Sequence, residues 1–87
     1  MKDYRNAEKS YQKASKLEPD NPNILYNLAC MQSLNHNATQ SLASLQRAIE
    51  IQPSLMQSAY QDTDLNNMRK HNKFEDFVRQ NGMQFAH

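Results

Sequence analysis

Eighty-seven residues, 38% hydrophobic and 22% charged with a net charge of +1, are expected to form one small domain burying only about 60–65% of its unfolded surface. One glycine (Gly82) excludes glycine-rich phosphate loops, and one cysteine (Cys30) excludes an internal disulfide framework or a cysteine-rich zinc site. No apolar run approaches the roughly 18–20 residues of a membrane span, and MKDYRNAEKS lacks the apolar segment of a secretory signal, so a cytoplasmic protein is expected.

The first helix is expected from about Asp3, as N-cap, to Leu17. Tyr4, Ala7, Tyr11, Ala14 and Leu17 recur at three- and four-residue steps, which puts them on one stripe. Pro19 ends this helix and turns Glu18 away from helical geometry. Asn21 then caps a helix over 22–34, with Pro22 in the first turn where its missing N–H costs nothing. Ile24, Leu25, Leu28, Met31 and Leu34 form its apolar side.

Asn35-His36-Asn37 reads as a turn, and Asn37 with Gln40 as a capping box. Helix 38–51 follows and is expected to bury Leu42, Leu45, Ala48, Ile49 and Ile51 before Pro53 ends it. Ser54 with Gln57 predicts another capping box and a helix from Leu55 to about Gln61, packing Leu55, Ala59 and Tyr60 inward. Asp62 caps a short turn around Leu65 and Met68. Asn72 with Glu75 opens a last helix through Gln80, with Phe74, Phe77 and Val78 inward, and Gly82 stops it. Met83 to His87 are expected to fray.

The sequence repeats itself at a spacing of 34. Ala14 falls on Ala48, Leu17 on Ile51 and Pro19 on Pro53, while Tyr4, Ala7 and Tyr11 fall on Ala38, Ser41 and Leu45. A 34-residue helix–turn–helix repeat follows W-x2-L-G-x2-Y, then A-x3-F, then P. Here Leu25, Leu28-Ala29, Gln32, Ser41, Leu45, Ala48 and Pro53 occupy those places, and Ala7-x3-Tyr11 with Pro19 fits the second half. Over residues 3 to 55 the chain thus resembles the tetratricopeptide repeat (TPR) family. The resemblance implies an all-α, TPR-like antiparallel solenoid fragment: residues 3–21 as the second helix of an incomplete repeat, 22–55 as a complete repeat, and 56–82 as degenerate closing helices. Asp62-Thr63 replaces Leu-Gly where a third repeat would continue, and a closing segment would cover the apolar face left by the last repeat.

In TPR proteins the first helix of each repeat lines a groove that holds a partner's peptide or helix. Carried over, the groove-facing residues are Asn23, Tyr26, Asn27, Cys30, Ser33 and Leu34. Asn27 matches an asparagine that grips a peptide backbone or terminal carboxylate in chaperone-binding members. The basic residues completing that carboxylate clamp have no counterpart on this uncharged face, so the implied ligand is not an acidic C-terminal tail. Tyr4, Ala7 and Tyr11 are expected to lack the helix that would cover them. Leaving them in water forfeits about 25 cal/mol per Å² of apolar area, so a homodimer through this face is expected, or alternatively a place at the C-terminal end of a longer TPR array.

Chemistry has few footholds. His36, His71 and His87 have no second ligand at helical spacing, and Cys30 has no neighbouring base in sequence. Asp62, Asp64 and Asp76 read as a cap and two solvated carboxylates, and the Phe74–Phe77 pair and Met31, Met56 and Met68 as core. No catalytic, cofactor-binding or metal-ligating residue is expected. The first 18 residues carry five basic against three acidic side chains, an ordinary solvated face rather than a nucleic-acid patch. The expected role is protein–protein interaction, as an adaptor or scaffold; the alternative is a non-catalytic docking domain or subunit of an enzyme or regulator.

Overall fold

A computed structural model describes residues 3–80, without the side chains of Asn72 and Gln80. The expected Asn72 cap, the Gly82 stop and the tail through His87 therefore lie outside the described residues. The described chain is all-α: α1 (Tyr4–Leu17), α2 (Pro22–Leu34), α3 (Ala38–Ile51), α4 (Leu55–Gln61), a 3-10 turn (Thr63–Leu65), α5 (Asn66–Arg69) and α6 (Asn72–Gln80).

Helix starts follow their caps. Asp3 Oδ1 accepts from Asn6 N at 3.1 Å, and Asn21 Oδ1 accepts from the backbone of Asn23 and Ile24. These satisfy amides that a helix N-terminus leaves unpaired. Two expected capping boxes are absent: the side chains of Asn37 and Ser54 make no cap bond. Ser54 already has helical dihedrals, and its hydroxyl instead accepts from Gln52 Nε2.

The α2–α3 turn closes through His36 at φ 64°. Asn37 N donates to Gln32 O and His36 N to Ser33 O, the paired bonds of a Schellman stop with a left-handed residue after the cap. Asn35 Nδ2 meanwhile reaches Tyr4 O at 3.0 Å and Glu8 Oε1 at 2.7 Å, tying the start of α1 to the end of α2.

Helix α2 is apolar nearly all round and is packed between α1 and α3, as such a helix must be. Ala29 is fully buried, and Ser41 Oγ donates to its carbonyl at 2.6 Å. Ser44 Oγ likewise donates to the buried Gln32. The core joins Ala29 and Cys30 of α2 and Leu42, Leu45 and Ile49 of α3 to Met56, Ala59, Leu65, Met68, Phe74 and Phe77 of the closing segment. No residue of α1 belongs to it.

Two apolar expectations, Ile51 and Tyr60, are corrected. Leu17 is 83% exposed and Ile51 42%, because each ends its helix beside a loop with no further element over it. Tyr60 is 39% exposed, its ring lying 5.9 Å from that of Phe74.

Candidate partner-binding face of α2

The six expected groove residues share one side of α2 but not one environment. Asn23 and Asn27 are exposed, Tyr26 and Leu34 half-buried, and Cys30 and Ser33 buried. The last two are a correction to an open groove, and the closing segment is the reason. Asp62 leaves α4 in extended geometry and accepts from Asp64 N, which caps the 3-10 turn. The chain then crosses α2, and Leu65 and Met68 become fully buried.

Polar contacts fix that crossing. Tyr26 Oη donates to Asp62 Oδ2 at 2.9 Å, and the Cys30 thiol donates to the same oxygen at 3.9 Å. Ser33 Oγ accepts from Met68 N at 3.2 Å, and Ser33 O from Asn67 Nδ2 at 3.1 Å. Arg69 donates to the carbonyls of Ala59 and Asp62 and to Asn66, holding the end of α4 against α5. Arg69 carries no signal in the sequence, because its partners are backbone oxygens.

The electrostatics follow from this burial. Burial first, then the charges of Asp62 and Asp64 and the hydrogen bond to Asp62, push the Cys30 thiol from an ordinary 9.0 up to about 12. Burial and donation to Asp62 also raise the Tyr26 phenol well above its ordinary value. Cys30 therefore remains a thiol at neutral pH and is a poor nucleophile. Donor atoms of Cys30, Asp62 and Asp64 lie within 4.8 Å of one another, and Asp76 is not among them. Both oxygens of Asp62 already accept protein hydrogens, so the cluster reads as a network that holds the closing segment.

The histidines fall elsewhere. His36 and His71 line one shallow hollow of about 350 Å³ with Asn37 to Gln40 at the start of α3. His71 Nδ1 accepts from Lys73 N there. Tyr4, Ala7 and Tyr11 of α1 are half-buried rather than bare, since α1 packs on α2.

A family model described as TPR repeat matches residues 1–31, which take in α1 and α2 as far as Met31. Over that stretch the chain is similar to the TPR family. No curated protein and no solved structure matches it. With the helical architecture described above, the TPR match supports a protein-interaction module in the general sense.

Proposed function

We propose that the chain is a small TPR-like adaptor or scaffold that takes a partner's peptide or helix along the open end of α2. The observation carrying this reading is the division of the α2 face. Asn23 and Asn27 stand exposed one turn apart beside a Tyr26 whose phenol is held by Asp62. Two free amides offer paired donors and acceptors that match a backbone in extended or helical form. Tyr26, pinned in one position, adds contact area at little entropic cost.

The reading has no catalytic chemistry in it. The thiol is held protonated, and the Asp62 carboxylate is engaged by Tyr26, Cys30 and Asp64. A cytoplasmic setting belongs to the same reading. Self-association through Tyr4, Ala7 and Tyr11 is the competing use of the module, and sedimentation velocity over a wide concentration range separates the two.

Selection of a displayed peptide library on the purified chain tests the α2 surface. Selected peptides should lose binding to Asn27→Arg while the melting temperature stays put. Peptides that bind Asn27→Arg and Asn23→Arg as well as the parent would place the interaction elsewhere.

A further inference from the structure

The exposed part of α2 ends at a pair of carboxylates. At about 100° per residue, Asn23, Tyr26, Asn27 and Cys30 fall within about 100° of one another around the helix. Asn27 stands three residues before Cys30, which makes the two surface neighbours. The closing segment meets the strip at that point: carboxylate oxygens of Asp62 and Asp64 and the Cys30 sulfur lie within 4.8 Å of one another. The Asn23–Asn27 surface therefore runs up to both acids.

The two acids are not equivalent. Asp62 Oδ2 accepts from Tyr26 and Cys30, and its Oδ1 from Asp64 N. Asp64 is not buried. Among the described residues its carboxylate accepts no hydrogen bond, and the one ion pair is Glu75–Arg79.

Neighbouring charge does not cancel it. Helices α2 and α4 contain no charged residue. Arg69 is the cation of this network, and its guanidinium is occupied by Ala59 O, Asp62 O and Asn66. One arginine against two carboxylates leaves a negative charge over. Lys70 follows Met68, whose amide meets Ser33, a turn farther from Asn27 than Cys30 is. Burial and then the charges of Asp62 and Asp64 hold the Cys30 thiol up at about 12, so the negative field reaches the strip itself.

Charge and shape then select among side chains. A carboxylate arriving along Asn23 and Asn27 would meet a like charge at Asp64. An arginine meets an unengaged carboxylate that its planar fork matches, next to a tyrosine whose hydroxyl Asp62 holds in place. Lysine brings the charge without the fork or the stacking plane.

We propose that the α2 surface binds a partner segment carrying an arginine, whose guanidinium pairs with Asp64 and lies against the Tyr26 ring while Asn23 and Asn27 hold the segment's backbone. This rests on the interaction reading above and gives that site its ligand chemistry.

The test selects a random displayed peptide library on the full 87-residue chain and, in parallel, on Asp64→Asn. Since the Asp64 carboxylate accepts no described hydrogen bond, this variant should keep the parent's melting temperature. Peptides from the parent should be rich in arginine, and those from Asp64→Asn should not. In an anisotropy titration a selected peptide should bind Asp64→Asn about tenfold more weakly than the parent. Replacing its arginine by citrulline, which keeps the shape and removes the charge, should lose a similar factor on the parent and little on Asp64→Asn. Asp64→Lys should turn the preference toward a peptide with glutamate in place of that arginine. Peptides that need Asn27 but show no arginine preference, or that bind parent and Asp64→Asn equally, overturn the proposal and leave the α2 reading standing. A selection that yields only peptides indifferent to Asn27→Arg and Asn23→Arg overturns both. A chain dimer that Asp64→Asn dissociates also overturns the proposal, in favour of a basic side chain from a second copy.

Discussion

Helices α1 and α3 are both 14 residues long and share a 34-residue register, yet they live in different surroundings. Helix α3 buries Ser41, Leu42, Leu45, Ala48 and Ile49 between α2 and the closing segment. Helix α1 buries no residue fully and packs chiefly on α2. A repeat pattern therefore specifies which side of a helix can be buried, while the neighbours present decide how far burial goes. Since apolar stabilisation scales with area removed from water, α3 should carry most of the stability and α1 most of the capacity for new contacts.

The largest expected effect is Leu45→Ala, which removes a fully buried side chain and should cost about 2–5 kcal/mol in denaturant unfolding. Tyr11→Ala, at the matching position of α1, should cost about 1 kcal/mol because its ring is only half-buried. Equal losses would mean that α1 is anchored as deeply as α3, and the contrast between them would fail.

The Asp62 network comes next. Asp62→Ala removes the acceptor of Tyr26, Cys30 and Asp64 and should cost about 1–3 kcal/mol. Asp62→Asn keeps the shape and loses the charge, so the Cys30 thiol should titrate below its present value of about 12. Thiolate absorbance measured against pH reads this directly. In the parent chain folding keeps Cys30 protonated above its unfolded 9.0. Its contribution is whole below that pH and is lost as pH rises through about 12. Stability should accordingly fall with pH from 9 upward, and Cys30→Ala should flatten the early part of that fall. A parent and variant with parallel pH profiles would show that Cys30 does not titrate with folding.

Much of the fold was legible because its punctuation is local. Asp3, Asn21-Pro22 and Pro53 act on amides and dihedrals within a few residues, and helix ends fall beside them. What escaped depends on distant neighbours. The exposure of Leu17 and Ile51 follows from what lies beyond each helix end, which a periodic stripe does not encode. The burial of Cys30 and Ser33 depends on where the chain heads after Asp62. The break there could be read from Asp62-Thr63, but its direction could not. His36 shows a third kind of gap. Its left-handed backbone is imposed by the tight stop of α2, although histidine is a second-best residue for it. Glycine suits that geometry, and His36→Gly should raise stability by about 1 kcal/mol. A loss of stability would mean that the His36 side chain contributes more than its backbone costs.

The smallest and sharpest test exchanges hydroxyls between the two helices. Ser41 Oγ donates to Ala29 O at 2.6 Å inside the core, so Ser41→Ala leaves a buried carbonyl without that donor and should cost about 1 kcal/mol. The reciprocal change, Ala7→Ser, puts a hydroxyl at a half-buried position of α1 where water remains within reach. It should move the unfolding free energy by less than about 0.5 kcal/mol. If Ala7→Ser destabilises the free chain as strongly as Ser41→Ala, the outer side of α1 is already packed in solution, and the asymmetry between α1 and α3 does not exist.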